Sequence, residues 1–390
     1  MITDTLRSQF LLRKDITFLN FGSFGACPSP VFNRYQQYQL ELEQEPVQFI
    51  VKTGLEYLKA SRIALGTYLN CNEDDLVFVT NPSYAVNLIA KSLKLEPGDE
   101  ILTTDLEYGA CDRTFQYYCE KAGARYVRQP IGLPLTGKEQ FTEDLLKGLS
   151  AKTKMIFISH ITSSTALRFP VEEICAIAKS KGILVFVDGA HGPAQTEVNL
   201  SALNADIYTG ACHKWMMAPK GCSFLYVKRE LQHLFDPLVI SWGFNSTTPS
   251  HSKFLDYHQT QGTRDFSAFC TVPAVIDFLQ QHNWAAVSKE CRAMVQANAL
   301  RFCELLKSEP LAPVNDDFIL QLFSVPINTP EPETLKDLLF NKYKIEIPVM
   351  PHADKVYLRY SIQAFNTQQD LDILEDALKN IIQTTNLIKV

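Results

Sequence analysis

The sequence predicts an α/β protein: a large domain on a mostly parallel sheet with helices on both faces, then a smaller α+β domain at the C-terminal end. Three observations carry this. Apolar runs such as Asp75 to Thr80, Met155 to Ser159 and Ile183 to Val187 have the composition of strands buried on both faces. They alternate with segments whose apolar residues recur at helical spacing, the pattern of a parallel sheet with helical crossovers. Beyond residue 307 the texture changes to short strand patterns flanked by helices.

In order, residues 1 to 14 read as a short amphipathic helix, and Ile16 to Phe21 as a strand running into the glycine loop Gly22 to Gly25. Helices follow over Val31 to Leu42 and Leu55 to Leu69. The strand Asp75 to Thr80 meets Asn81-Pro82-Ser83, where Asn as N-cap and Pro at the first position start a helix. A strand leading straight into a helix N-terminus makes an anion site, because free N–H groups and the helix dipole face the ligand. Alternation continues: strand Glu100 to Thr104, helix Arg113 to Ala122, strand Arg125 to Arg128, helix Thr142 to Leu149, strand Met155 to Ser159, helix Val171 to Lys179. Strands Ile183 to Val187, Asp206 to Thr209 and Gly221 to Val227 complete the series. The stretch 236 to 265 reads as loop, and 266 to 285 as a hinge. A helix Ala285 to Lys307 leads to strands Ile319 to Val325, Glu346 to Val349 and Lys355 to Ile362, with helices at 332 to 341 and 367 to 384. The expected domains are 15–265, and 266–390 together with 1–14.

Composition narrows the function classes. The chain has 390 residues with a net charge of −6, which implies no broad basic surface for nucleic acid. Ten scattered cysteines without a CxxC pair point to reduced thiols rather than a disulfide framework or zinc ribbon. No apolar run is long enough to span a bilayer, and the first twenty residues lack a secretory pattern, so a cytoplasmic location is expected. The absence of GxGxxG and Walker patterns argues against dinucleotides and NTP hydrolysis.

The chemistry concentrates between Gly182 and Gly221. The buried strand ends in Asp188-Gly189-Ala190-His191, and the next runs into Cys212-His213-Lys214-Trp215. Open α/β sheets bind ligands at the carboxyl ends of their strands. A lysine amine can form an imine and move a proton at a substrate α-carbon. A carboxylate such as Asp188 can hold a pyridine nitrogen protonated, which makes the ring an electron sink. Lys214 and Asp188 are therefore expected as the Schiff-base lysine and ring-nitrogen partner of pyridoxal 5′-phosphate. Each residue alone also reads as a surface charge or helix cap; order and spacing favour the cofactor. Ser83 is expected at the cofactor phosphate.

The motifs Asp188-x-Ala-His191, His213-Lys214-Trp215 and Ala218-Pro219-Lys220-Gly221 resemble the class V aminotransferase group of fold type I pyridoxal phosphate enzymes, in its isopenicillin N epimerase-like branch. Supporting matches are Phe18 to Gly25, Glu45-Pro46-Val47-x-Phe49, Glu107 to Ala110, Gly262 to Asp265 and Leu358 to Ser361. The resemblance implies the fold type I architecture and a set of roles. Lys214 would carry the Schiff base, Asp188 would pair with the pyridine nitrogen and His191 would sit near the phenolic oxygen. Tyr108 would stack on the ring and is also the candidate for the second acid/base that a two-base epimerase needs. Ser83 and His213 would bind the phosphate, joined by Thr263 of the neighbouring subunit in a homodimer with shared sites. Arg359 would clamp the substrate carboxylate. Asn20 and Ser23 would line the entrance, and the segment 162–165 would bond near the ring.

Cysteine desulfurases of this superfamily carry a nucleophilic cysteine shortly before the carboxylate-binding arginine. Here no cysteine follows Cys303, which argues against persulfide formation. Cys27, Cys111 and Cys212 read as ordinary buried thiols. The expected activity is α-carbon chemistry on an amino acid substrate, as in the epimerases, with a carbon–sulfur lyase as the alternative. Arg34, Tyr35, Arg264 and the 241–258 loop are open candidates for specificity. Two further alternatives are a metal site of Asp188, His191, Cys212 and His213, and a non-catalytic binding protein.

Overall fold

The computed structural model describes residues 2–390. Its central sheet has seven strands: β2 (Leu76–Val79), β3 (Glu100–Thr104), β4 (Arg125–Gln129), β5 (Thr153–Ser159), β6 (Leu184–Gly189), β7 (Ile207–Gly210) and β8 (Ser223–Val227). β1 (Thr17–Phe18) lies outside it and pairs with a strand of the C-terminal region. The order across the sheet is β2-β8-β7-β6-β5-β3-β4. β7, β6, β5, β3 and β4 are mutually parallel, and β8 runs antiparallel to both β7 and β2. The sheet is thus mostly parallel, as the apolar runs predict. β2, β5, β6, β7 and β8 are buried almost throughout because helices cover both faces.

The second unit is an antiparallel sheet in the order β11 (Val349–His352), β12 (Lys355–Ser361), β9 (Leu322–Pro326). β10 (Ile345–Glu346) pairs in parallel with β1. The N-terminal arm therefore lies against the C-terminal unit. Ser361 N donates to Leu19 O at 2.9 Å, and the Phe10 ring meets Phe365 edge-on at 5.0 Å.

Several expectations change, beginning with Phe21–Phe24, a short helix where a strand end and a glycine loop were expected. The N-terminal helix is only Asp4–Arg7, and Phe10 beyond it bridges to Pro28. The stretch 236 to 265 contains a helix, Lys253–Gln259, capped by Ser252. Its apolar residues, buried Phe254 and Leu255, are too few for a visible periodicity. The expected hinge at 266 to 285 is helical over Ser267–Cys270 and Val272–Gln281. Phe266 and Phe269 stack on Phe49 and Phe78, which fixes this segment to the large sheet and its helices. No described helix is long and apolar enough to cross a membrane.

Candidate active site

All parallel strands of the large sheet end on one edge, and the expected chemistry gathers there. A cavity of about 460 Å³ is lined by Ser83 after β2, Tyr108 after β3, Ser159 at the end of β5, Asp188 near the end of β6 and His191 after it, and His213 and Lys214 after β7. The C-terminal unit closes it with Met350 and Arg359, and the N-terminal arm adds Ser23 and Phe24. A volume of this size suits a small ligand with a few convergent polar groups. A second cavity of about 540 Å³ lies elsewhere, among Tyr68, Val198, Leu279 and Trp284, and contains neither Asp188 nor Lys214.

Asp188 is buried. Its Oδ1 accepts from Ala190 N at 2.9 Å, and its Oδ2 accepts from the Cys111 thiol at 3.6 Å. Burial pushes its carboxyl upward, while the Ala190 N–H, Lys214 and Cys111 oppose that rise. Cys111 is therefore more than a space-filling thiol: it faces the cavity and is bonded to the central carboxylate. Burial drives its own pKa well up, so it is a donor rather than a thiolate.

Lys214 Nζ lies 3.1 Å from His191 Nε2. Burial, reinforced by Arg359, lowers the Lys214 amine to about 8, with Asp188 and Cys111 pulling the other way. That is low enough for a substantial neutral fraction near neutral pH, the form that acts as nucleophile or base. His191 is held well below its ordinary pKa by burial and by the cations around it. His213 is lowered to about 4, mainly by burial, and its Nδ1 lies 3.0 Å from Cys222 O.

The anion site is built as its sequence requires. Asn81 Oδ1 accepts from Tyr84 N at 2.9 Å, capping the helix Pro82–Ser92, whose first turn carries Ser83 into the cavity. Opposite, Arg359 on β12 is buried, lowered to about 10 by burial and still cationic. Its Nη1 donates to Ser163 O at 2.6 Å and its Nη2 to Ser23 Oγ at 3.2 Å. Two glycines of the N-terminal arm allow close approach, Gly22 to Arg359 and Gly25 to the His213–Lys214 backbone. A Cβ at Gly22 would come within 3.3 Å of Arg359 Nη2, and one at Gly25 would sit 2.2 Å from His213 O with φ at +66°.

Other sequence-predicted residues fall outside the cavity lining. Asn20 stands behind Ser23: it accepts from Ser23 Oγ at 2.5 Å and donates to Glu346 at 3.0 Å. Thr263 is exposed on the 260–265 loop, away from this chain's cavity. In the segment 162–165, Thr162 and Thr165 bond each other at 2.6 Å, and Ser163 alone faces the cavity. Arg34 bonds Tyr38 and Gln37, Tyr35 bonds Gln39, and Arg264 lies over Phe269, so none of the three reaches it. Among the described residues, no group of three or more His, Cys, Asp or Glu is placed to hold a metal ion. Phe24, within the Phe18 to Gly25 match, does line the cavity, whereas reasoning from sequence missed Met350, whose apolar side chain carries no motif signal.

The family model for aminotransferase class-V matches residues 26–374. The chain belongs to the class-V aminotransferase family. It is 31% identical to isopenicillin N epimerase of Amycolatopsis lactamdurans, over 96% of this chain and 97% of that protein. It is 24% identical to a probable chloroplastic L-cysteine desulfhydrase of Arabidopsis thaliana, over 95% of this chain and 83% of that one. Its fold is shared with a cysteine desulfurase of Thermococcus onnurineus at a TM-score of 0.84 and 19% identity, covering 98% of each chain. This class-V protein is an enzyme whose cofactor is pyridoxal 5′-phosphate. The cavity fits that group: a capped helix start for a phosphate, a buried carboxylate for a ring nitrogen and a lysine of lowered pKa all face one space.

Proposed function

We propose that the enzyme removes and returns the α-proton of an amino acid bound between Lys214 and Arg359, with epimerisation as its outcome. The observation that carries this reading is one cavity holding Lys214, Asp188 and the doubly held guanidinium of Arg359. When bound, the cofactor supplies an electron sink for the negative charge left at the α-carbon. The remaining work belongs to the chain. Arg359 binds the substrate carboxylate through its planar fork, oriented by Ser163 and Ser23. Asp188 holds a proton at the ring nitrogen, aided by Ala190 N and the Cys111 thiol. Lys214 takes the α-proton on Nζ, which its burial keeps basic yet deprotonatable. Ser83 and His213 would hold the phosphate, and Tyr108, in the same cavity wall, would lie against the ring. Epimerisation needs a second acid/base besides Lys214, and Tyr108, which lines the same cavity, would fill that role.

The isopenicillin N epimerase relative supports epimerisation as the outcome. A carbon–sulfur lyase is the second reading, supported by the desulfhydrase relative. Persulfide formation has less support. The cavity's cysteine is Cys111, committed to Asp188, and Met350 stands in the segment before Arg359. A homodimer in a cytoplasmic setting completes the proposal, with Thr263 serving the neighbouring subunit's phosphate. The exposed row Val47, Val51 and Leu55 on adjoining helical turns supports a self-association face.

The test is incubation with an amino acid panel in deuterated water, read by chiral analysis, mass and sulfide release. Deuterium at the α-carbon with loss of chirality is expected. Sulfide and pyruvate from cysteine without racemisation would replace the first reading with the second. No exchange with any substrate would refute both.

A further inference from the structure

One contact in the cavity wall is not used by the function above. Trp215, the residue after Lys214, is fully buried and donates its indole N–H to His191 Nδ1 at 3.1 Å. The indole is held in place by Phe21, whose ring centroid lies 5.1 Å away. An indole nitrogen donates and cannot accept, so Nδ1 must present its lone pair. A neutral imidazole then carries its single proton on Nε2, the nitrogen 3.1 Å from Lys214 Nζ.

We propose that Trp215 is a positioning residue that locks His191 in the Nε2–H tautomer, so that the cavity always meets a hydrogen-bond donor at that point. The lock is a property of the chain alone; its use rests on the cavity being the cofactor site, where a donor serves an acceptor oxygen of the bound ring. A second consequence concerns Lys214. An Nε2–H group can pair with an amine lone pair but sets donor against donor with an ammonium. The lock therefore favours the neutral amine, in the same direction as burial and Arg359. The charged and titratable groups acting on His191 are Lys214, Arg359 and His213, and all three oppose a second proton on its ring.

The test uses the full chain with Trp215→Phe, which keeps an aromatic ring and removes the N–H. Histidine-labelled protein is examined by long-range nitrogen NMR without added cofactor, and the His191 signals are assigned by their loss in His191→Gln. The wild type is expected to show a pyridine-type Nδ1 and a pyrrole-type Nε2. The reverse pattern overturns the proposal, and this spectrum decides it even if W215F does not fold. In folded W215F the two tautomers are expected to mix. The pH midpoint for capture of added pyridoxal phosphate, followed by its visible band, is expected to rise by about one pH unit, the size of one buried hydrogen bond. An unchanged tautomer pattern with an unchanged midpoint in folded W215F would overturn the lock. If the wild type captures no cofactor, the functional reading fails while the tautomer measurement stands.

Discussion

Glu107 offers a test that reaches the site through its supports. The side chain is buried; its Oε1 lies 2.8 Å from the Thr104 hydroxyl, and its Oε2 accepts from Ser159 N at 3.0 Å and from Ser159 Oγ. It thereby ties the loop carrying Tyr108 to the end of β5. Burial lifts its carboxyl from an ordinary 4.5 to about 8, against the opposing pull of those hydrogen bonds. Unfolded, the group ionises near 4.5, so between there and about 8 the unfolded chain releases a proton that the folded chain keeps. Its stabilisation is complete below 4.5 and is lost as pH rises toward 8. At about 1.4 kcal/mol per pH unit, the full window is worth about 5 kcal/mol, and the part between about pH 5.5 and 7.5 about 3 kcal/mol. Glu107→Gln copies the protonated carboxyl: its oxygen accepts from Ser159 N, and its amide donates to a hydroxyl. Urea unfolding of both proteins at the two pH values isolates this group, because every other titration is shared. E107Q is expected to gain about 3 kcal/mol on the wild type between them. A stability gap that does not change with pH would refute the argument that the carboxyl is protonated in the fold.

Three further outcomes follow from the geometry. Gly25→Ala is expected to destabilise by about 3 kcal/mol or more and to weaken cofactor retention, measured by thermal melting and dialysis, since its Cβ would lie 2.2 Å from His213 O at a positive φ. Arg359→Lys is expected to raise KM for the amino acid by about 10- to 100-fold, because an ammonium cannot reproduce a fork already oriented by Ser163 and Ser23. Asn81→Ala removes the cap on Tyr84 N and is expected to cost about 1 kcal/mol in urea unfolding, with weaker binding of pyridoxal phosphate by titration.

The large sheet was legible because both-face burial writes itself into composition: β2, β5 and β6 are continuous apolar runs. The order of its strands was not, because β8 between β2 and β7 depends on pairings invisible to local pattern. The central pair, Asp188 and Lys214, was readable because strand-end residue types announce chemistry. Contacts distant in sequence were not. Cys111 and Asp188 are 77 positions apart, and only the fold shows that the thiol is a donor to the carboxylate. Likewise the motif placed Asn20 in the entrance, whereas its bonds to Ser23 and Glu346 place it one step behind. The segment 266 to 285 read as a hinge because it precedes the change of texture into the smaller domain, yet aromatic stacking on Phe49 and Phe78 fastens it.

The central claim is that Lys214 is the residue that captures pyridoxal 5′-phosphate. The direct measurement is the visible absorption of the purified protein with added cofactor, followed by borohydride reduction and peptide mass analysis, beside Lys214→Ala. A visible band in the wild type, its absence in the variant and a reduced adduct on the peptide containing Lys214 are the expected results. No band in the wild type, or an adduct on another lysine, would contradict the account.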